Sequence, residues 1–460
     1  MVRTINTREL ILDILLAVED GAMSNVAIRD CLSRHQFLPK QDRAFITRVC
    51  EGTLEYQITI DYILDSYSTV STSRMKPVIR EILRSGIYQL KYMDGVPDSA
   101  VVNEAVTLAS KRGFYSLKSF VNGVLRTAAR EMNDLTFPDM EADPVRSLSV
   151  RYSMPEYLVR RFLDAYGEEV TEKVLADFLK EKPLTVRCRK TGILMDNTIR
   201  SLQEQGAHVE KAPYLPYALR ISKYNHLLML DAFREGKIVV QDVSSMLAAE
   251  CASPAKGDYV IDLCAAPGGK SIHMGDMMEG YGTVDARDIS RRKVELIEEN
   301  LLRTGCINVQ TKVHDATVFD LDSESRADIV LADVPCSGYG VIGHKPEIKY
   351  RVTEEREKEI AALQREILKK AQDYVKPRGV LVYSTCTIAR EENEDNMRWF
   401  LRTYPSFTLE SLDPYLPDEL HSETTKAGYL QLLPGVHDCD GFFIARFRKG
   451  KNETRHKINE

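Results

Sequence analysis

The chain has 460 residues, which at ~100–200 residues per domain predicts several domains. Its apolar content of 43% and charged content of 28% are typical of a soluble globular protein, and no apolar stretch approaches the ~20 residues that span a bilayer. The net charge of −6 argues against nucleic-acid binding through a bulk positive field. We therefore expect no membrane contact, and any RNA contact has to depend on local basic clusters.

The N-terminal region is predicted to be helical. Apolar residues recur at three- and four-residue steps, as at Leu10, Ile14 and Val18, from residue 5 to about residue 131. Alternation typical of strands is absent from this region. We expect a bundle of six or seven helices, followed by an acidic, turn-rich linker at 133–144, and we assign residues 1–140 to an all-α domain.

A small α+β module is predicted over residues 141–235. A helix begins near Glu156 and ends at Gly167, and a second helix runs to about Glu181. The segments LTVRCR, HVEKA and ALRIS have strand character and surround a helix at 196–205.

From residue 236 to residue 449, strands alternate with helices, which predicts an α/β domain with a largely parallel sheet covered on both faces. The predicted strands are 259–263, 282–286, 309–313, 328–332, 379–384 and 441–447. Helices are predicted at 270–279, 290–304, 354–375 and 391–403. Residues 450–460 form a charged tail.

The loop after the first of these strands, in YVIDLCAAPGGKS, is a candidate ligand site. Gly268 and Gly269 would let a nucleotide-like ligand approach the backbone closely. The loop is not a dinucleotide fingerprint, and it departs from a P-loop because Cys264 stands where the first glycine would be. Gly268 and Gly269 alone are most typical of a simple tight turn, and a ligand bound by this loop would carry no phosphates.

Acidic residues downstream indicate how such a ligand would be held. Asp288 lies at the end of the next strand, at a spacing typical of an acid that binds ribose hydroxyls. Asp285 is the alternative ribose ligand. Asp315 follows the strand after that and would reach the adenine side, unless it is a helix-capping or loop aspartate. A nucleoside without phosphate that is held through its ribose fits S-adenosylmethionine.

Two cysteines, Cys336 and Cys386, each stand at the end of an apolar run. In an α/β protein, side chains at the carboxyl ends of strands meet in a shared crevice. Two thiols there indicate covalent chemistry by a cysteine nucleophile with a second thiol assisting, although cysteines are also among the most buried core residues. All nine cysteines lack CxxC spacing, and we expect reduced thiols in the cytoplasm and no metal site.

Several motifs together resemble a known family. The segments DLCAAPGGKS, DVPCSGYGVI, YSTCTI and DGFFIARF are similar to the RNA 5-methylcytosine methyltransferases. In the helical region, DRAFITRVCEGTL, VNEAVTLA and SFVNGVLR resemble the NusB-like RNA-binding domain of one branch, the ribosomal RNA small subunit methyltransferase B (Sun) family. The resemblance covers residues 5 to about 448, nearly the whole chain.

This resemblance implies the fold and the activity. The fold would be an all-α NusB-like domain, a small α+β RNA-binding module and a Rossmann-like class I methyltransferase domain. The activity would be S-adenosylmethionine-dependent formation of 5-methylcytosine in 16S ribosomal RNA through a covalent bond from a cysteine to carbon 6. The expected protein is a cytoplasmic monomer that acts on small-subunit ribosomal RNA before the subunit is fully assembled.

The resemblance also implies roles for individual residues. Cys386 would be the nucleophile and Cys336 would assist product release, whereas DNA methyltransferases use the cysteine of the Pro-Cys motif as nucleophile. Asp333 would contact the cytosine edge, with Lys270 beside it. The implied cofactor-binding residues are Cys264, Ala265, Ala266, Pro267, Gly268, Gly269, Lys270, Asp288, Asp315 and Asp333.

Other functions remain open from the sequence. The substrate could be another RNA such as transfer RNA, or DNA, or the chain could be a non-catalytic RNA-binding module. Where relatives commonly carry two arginines, this chain has Gly343-His344-Lys345-Pro346, which puts one expected RNA contact in doubt. The basic clusters that could contact RNA, each also typical of a solvated surface, are Lys111–Arg112, Arg160–Arg161, Arg187–Lys190 and His344–Lys345.

Overall fold

The computed structural model describes residues 6–189, 193–351 and 353–451. The chain divides into two compact units, one formed by residues 1–179 with 342–351, and the other by residues 180–341 with 352–460. No helix of the described residues is long and apolar enough to cross a membrane. Lys190, of the cluster Arg187–Lys190, and most of the predicted tail lie outside the described residues.

The first unit is helical, as the apolar periodicity predicts. Its helices are α1 Thr7–Glu19, α2 Ser24–Arg34, α3 Lys40–Glu55, α4 Gln57–Tyr67, α5 Pro77–Tyr92, α6 Asp98–Lys111, α7 Lys118–Glu131, α8 Pro144–Arg151 and α9 Glu156–Phe178. Helix α1 begins after Asn6, whose side chain accepts hydrogen bonds from the first-turn backbone. Within α9, Gly167 has a positive φ of 74°, so the predicted break appears as a kink inside a longer helix.

One apolar core joins α1 to α7. It contains Ile11 and Leu15 of α1, Ile46 and Val49 of α3, and Leu83 of α5, all of them almost fully buried. These residues recur at three- and four-residue steps, so each helix places one apolar stripe toward its neighbours. The predicted all-α region is confirmed.

The segment 342–351 belongs to the helical unit although it comes much later in the chain. Lys349 Nζ donates a hydrogen bond of 2.7 Å to the carbonyl of Glu55, and the Tyr350 hydroxyl donates one of 2.9 Å to the carbonyl of Leu54. Lys349 is 3% exposed, and burial lowers its pKa to about 7. The segment is therefore anchored at the end of α3.

The second unit begins with a four-stranded antiparallel sheet in the order β2-β3-β1-β4. Its elements are β1 Leu184–Cys188, α10 Ile193–Glu204, β2 His208–Lys211, β3 Ala218–Ser222, α11 Asp231–Arg234 and β4 Ile238–Val240. Three of these strands were predicted. The fourth strand, β4, lies beyond residue 235, which is the predicted end of this module. The boundary of the module stays a prediction.

The rest of the second unit is built on an eight-stranded sheet in the order β10-β12-β9-β8-β5-β6-β7, with β11 paired to β12. The strands are β5 Tyr259–Asp262, β6 Thr283–Asp288, β7 Val309–Val313, β8 Ala327–Asp333, β9 Val375–Thr385, β10 Phe407–Leu409, β11 Tyr429–Leu432 and β12 Phe442–Lys449. The helices are α12 Val243–Ala252, α13 Gly269–Met277, α14 Arg291–Thr304, α15 Glu354–Tyr374, α16 Glu394–Thr403 and α17 Glu423–Ala427.

The direction of the strands matches the predicted Rossmann-like architecture. β5 to β9 are parallel to one another, whereas β12 pairs antiparallel with β9, β10 and β11 at one edge, so the sheet is mixed. Alternate residues enter two separate cores. Val260 and Leu331 lie in one, and Ile261 and Val330 lie in the other, because successive side chains of a strand point to opposite faces.

The basic cluster at Arg187 is not a surface patch. Arg187 is 2% exposed and pairs with Asp276 of α13 at 2.9 Å, and Arg189 pairs with the same carboxylate at 2.6 Å. These bonds tie β1 of the small sheet to the helix that follows β5. Arg187 is therefore a structural ion-pair residue, and its side chain is not available to RNA.

Candidate active site

The two cysteines lie together at the carboxyl ends of neighbouring strands. β8 and β9 are parallel, and Asp333 at the end of β8 is in register with Ser384 near the end of β9. The loops that follow therefore start side by side. The sulfur atoms of Cys336 and Cys386 are 3.1 Å apart, and neither thiol is fully buried. Strand order thus brings together two thiols that are distant in the chain.

The environment of the pair distinguishes the two sulfur atoms. The hydrogen bond to Cys386 and burial both raise the pKa of Cys336 well above its usual value. Either sulfur atom can be the donor of the hydrogen bond between them. The positive charge of Lys270 interacts with Cys386. A nearby cation stabilises a thiolate, and the role of nucleophile for Cys386 stays a prediction.

Lys270 and Asp333 form the charged centre of the site. Lys270 Nζ donates a hydrogen bond of 2.7 Å to Asp333 Oδ2, and the Ser384 hydroxyl donates one of 2.8 Å to Asp333 Oδ1. Burial alone would lower the pKa of Lys270, but the negative charges of Asp333 and Asp262 outweigh it and raise that pKa. The ammonium also lies 5.2 Å from the centre of the Phe442 ring. Lys270 is therefore held as a cation.

The glycine-containing loop after β5 forms a close-packed turn into α13. Gly268 has a φ of 100°, which favours glycine, and a Cβ atom there would lie 3.0 Å from Ile297 of α14. The backbone N–H of Ala266 donates a hydrogen bond of 3.0 Å to Asp288 Oδ2. The loop is thus fixed between β6 and α14.

Of the two candidate ribose ligands, Asp288 contacts the loop after β5 through the Ala266 backbone. Asp288 ends β6 beside the loop, where its carboxylate also accepts a hydrogen bond from its neighbour's backbone and pairs with Lys293 at 3.0 Å. Asp285 is held by Arg287 and accepts a hydrogen bond of 3.1 Å from the Tyr259 hydroxyl. Asp285 is therefore a structural partner of Arg287.

Asp315 occupies a loop after β7, as the sequence predicts. Its Oδ1 accepts hydrogen bonds from the backbone and the hydroxyl of Thr317, at 2.9 and 2.7 Å, and the backbone bond lowers the pKa of Asp315. The local turn accounts for Oδ1, and Oδ2 is left for a ligand. The contacts of Asp315 are thus those of a loop-capping aspartate, which was the alternative interpretation. Its contact with the adenine side of the cofactor stays a prediction.

Cys264 is not a second nucleophile. Burial, followed by the charges of Asp262, Asp288 and Asp333, raises its pKa far above the usual value for a thiol. Acidic neighbours disfavour a thiolate. Cys264 therefore lines the loop as a neutral thiol.

The chemistry of the loop suits a cationic nucleoside better than a phosphate. The ammonium of Lys270, which a P-loop would direct to phosphates, is bound to Asp333. The predicted cofactor-binding residues include three carboxylates, at Asp288, Asp315 and Asp333. Carboxylates accept hydrogen bonds from ribose hydroxyls and amino groups and attract a sulfonium cation, so the residues fit S-adenosylmethionine.

Three contributors to the site were missed from the sequence. Ser384 and Phe442 contact the Lys270–Asp333 pair, and Asp262, at the end of β5, accepts a hydrogen bond of 2.6 Å from the Ser271 hydroxyl. Burial raises the pKa of Asp262 to about 7. These three residues could have been found from the sequence, because each lies at a strand end beside one of the recognised motifs.

Comparisons with known proteins agree with this arrangement. Residues 249–448 match the family model described as 16S rRNA methyltransferase RsmB/F, residues 5–130 match the NusB family, and residues 154–227 match a ferredoxin-like domain of RsmF/B-like methyltransferases. These three matches follow one another along the chain in the order of its helical region, small sheet and large sheet.

Full-length relatives are similar over nearly the whole chain. A probable ribosomal RNA small subunit methyltransferase B of Bacillus subtilis is 35% identical over 96% of this chain and 99% of its own length. One of Synechocystis is 32% identical over 93% and 95%. The crystal structure of PH0851 superposes with a TM-score of 0.80 at 27% identity and covers 97% of this chain and 99% of its own.

Proposed function

Because the chain belongs to the 16S rRNA methyltransferase RsmB/F family, we propose that it forms 5-methylcytosine in small-subunit ribosomal RNA through a covalent cysteine adduct. The methyl donor of the family is S-adenosylmethionine, which supplies an electrophilic methyl group. The observation that carries the proposal is the pair of thiols 3.1 Å apart beside the Lys270–Asp333 ion pair. Carbon 5 of cytosine is a poor nucleophile, and a nearby thiolate provides a way to activate it.

The first step assigned to the chain is attack by Cys386 on carbon 6 of the base. Its sulfur uses a lone pair to form the carbon–sulfur bond, and the ring electrons move to make carbon 5 nucleophilic. Carbon 5 would then take up the methyl group that bound S-adenosylmethionine supplies. We assign Asp333 to contact with the cytosine edge, and the hydrogen bond from Lys270 keeps that carboxylate oriented. The target base has to leave any helix to reach this pocket.

Release of the product is assigned to Cys336. Bond formation removes the negative charge from Cys386, and with it a cause of the raised pKa of Cys336. Cys336 can then lose its own proton to solvent and accept the proton from carbon 5. The carbon–sulfur bond breaks, its electron pair returns to Cys386, and the double bond of the ring is restored.

The remaining regions are proposed to bind the RNA. We assign this to the helical domain over residues 1–140 and to the module over residues 141–235, and the methyltransferase domain to residues 236–449. The family matches at 5–130, 154–227 and 249–448 support this division. We further propose a cytoplasmic monomer that acts on ribosomal RNA before the small subunit is complete.

Bisulfite sequencing of small-subunit ribosomal RNA tests the proposal. Cells with the gene should show a protected cytosine that is lost on deletion and restored by the wild-type chain but not by a Cys386→Ser variant. An unchanged profile would overturn the ribosomal substrate. The purified protein with a radiolabelled methyl donor, offered protein-free 16S RNA or transfer RNA, would then show whether the alternative substrate is the true one.

A further inference from the structure

Glu392 is a buried acid that none of the proposed steps uses. It lies between Cys386 and α16 in the loop after β9, and it is 0% exposed. A carboxyl group without contact to water is costly to bury unless its hydrogen bonds are made inside the protein. Its partners therefore indicate what it does.

The carboxyl group of Glu392 holds the loop that carries Cys336. Its Oε2 accepts a hydrogen bond of 3.0 Å from the backbone N–H of Ser337 and one of 2.7 Å from the side-chain amide of Gln364. The same amide donates a hydrogen bond of 2.9 Å to the carbonyl of Pro335. Glu392 thus fixes the backbone on both sides of Cys336. It binds Ser337 directly, and it holds Pro335 through Gln364.

A second link crosses between the two cysteine loops. The hydroxyls of Ser337 and Thr387 are 2.7 Å apart, and these residues directly follow Cys336 and Cys386. The backbone carbonyl of Glu392 accepts a hydrogen bond from the Tyr383 hydroxyl of β9. Glu392 therefore ties the Cys336 loop to the strand and loop that carry Cys386.

The two cysteines depend on this network to different degrees. Cys386 directly follows β9, whose last residues are paired on both sides, with Ser384 in register with Asp333 and Thr385 with Phe443. Cys336 lies beyond the end of β8, where ladder pairing has stopped. Loss of the Glu392 carboxyl would loosen the Cys336 loop more than Cys386.

The charge state of Glu392 is compatible with this structural use. Within the described parts of the chain its Oε1 has no hydrogen-bond partner, and burial raises its pKa. A neutral carboxyl, or a carboxamide in its place, would offer the same single acceptor oxygen to Ser337 and Gln364. Shape and accepting capacity matter here, not negative charge.

We infer that Glu392 is a positioning residue that holds the Cys336 thiol against Cys386 and thereby controls release of the methylated product rather than attack on the base. The inference rests on the cysteine roles proposed above. An error of ~1 Å in the placement of a catalytic group can slow a step by roughly 10²-fold. Removal of the carboxyl should therefore trap the enzyme at the covalent stage.

The test compares covalent RNA–protein adducts on denaturing gels with single-turnover methyl transfer. The variants are Glu392→Ala, Glu392→Gln and Ser337→Ala, with Cys336→Ala as the reference for blocked release. Glu391→Ala is the matched control, because it removes an exposed acid one residue away. Cofactor affinity and melting temperature identify variants that fail to fold.

Glu392→Ala should accumulate adduct, slow multiple turnover roughly 10²-fold and leave single-turnover methyl transfer nearly unchanged. Glu392→Gln should release product like the wild type, as should Glu391→Ala. A merely structural role would slow both steps and lower cofactor affinity without adduct. That result, or a Gln variant as impaired as the Ala variant, would overturn the inference.

Ser337→Ala keeps the test decisive if Glu392→Ala does not fold, since it removes only the hydroxyl link between the loops. Ser337→Ala should accumulate less adduct than Glu392→Ala. A folded Ser337→Ala variant without any adduct would count against the inference. If Cys336→Ala itself forms no adduct, the proposed roles of the two cysteines fail. If Cys336→Ala forms adduct but neither loop variant does, only the role of Glu392 fails.

Discussion

Lys270 and Asp333 form a 2.7 Å ion pair that connects the loop after β5 to the end of β8. The carboxylate is proposed to contact the base, and the ammonium interacts with Cys386. The ammonium of Lys270 thus interacts with Asp333 at the end of β8 and with Cys386 directly after β9. Its placement links the cofactor loop to both parts of the cytosine site.

Replacement of Lys270 by Met removes the charge while retaining most of the side-chain length. The thiolate of Cys386 loses its nearby cation, so we expect adduct formation to slow by roughly 10²–10³-fold. Rapid-quench measurement of the RNA–protein adduct checks this. Lys312→Met, which removes a half-exposed lysine from β7, is the control, and equal rates in the two variants would contradict the role of Lys270.

The two cysteine variants should fail at different stages. Cys386→Ser should abolish both adduct and methylation, because a serine hydroxyl is not ionised at neutral pH. Cys336→Ala should retain adduct formation and stall before release. Denaturing gels and methyl counting distinguish these outcomes, and the opposite pattern would assign the nucleophile to Cys336, as in DNA methyltransferases.

Gly268→Ala tests the turn of the cofactor loop. The left-handed conformation costs a non-glycine residue about 1–2 kcal/mol, and the new Cβ would also press on Ile297 at 3.0 Å. We expect weaker cofactor binding by calorimetry together with lower stability. Gly257→Ala shares the positive φ but has open space around its Cβ, so it should lower stability alone.

His273 should make stability depend on acidity. Burial, followed by the charge of Arg187, lowers its pKa to about 4 from 6.5, so the unfolded chain binds the proton first as the pH falls. The contribution of His273 to the free energy of unfolding is fully present above pH ~6.5. It is lost as the pH falls toward ~4, by about 3 kcal/mol in all.

Urea unfolding of wild type and His273→Gln at several pH values measures this contribution. As the pH falls from 6.5 to 4, the unfolding free energy of the wild type should decrease more than that of His273→Gln. A parallel pH dependence of wild type and His273→Gln would show that His273 does not titrate as described.

Most of the fold could be predicted from periodicity, because long helices and buried strands repeat their apolar residues regularly. The missed strands β4, β10 and β11 have three or four residues each, too few for a pattern to stand out. The cluster at Arg187 was misjudged for a different reason. A sequence shows that a residue is basic but not that an aspartate in another element, here Asp276, lies against it.

The site was predictable only as far as its motifs extend. Cys336, Cys386 and the glycine loop lie at strand ends that the sequence indicates, and strand order brings the thiols together. Glu392 lies in an acidic run, EENED, which by itself is typical of a solvated helix start. Its burial depends on Gln364 and Ser337 from other parts of the chain, and no local pattern records that.

The segment 342–351 gives the protein an order of assembly during its synthesis. Helices α1 to α9 leave the ribosome long before this segment exists, so the end of α3 first folds without the contacts from Lys349 and Tyr350. The helical unit is completed only when the strand that precedes Cys336 has also been made. A nascent chain that ends before residue 349 therefore lacks both hydrogen-bond donors that the finished protein places at the end of α3.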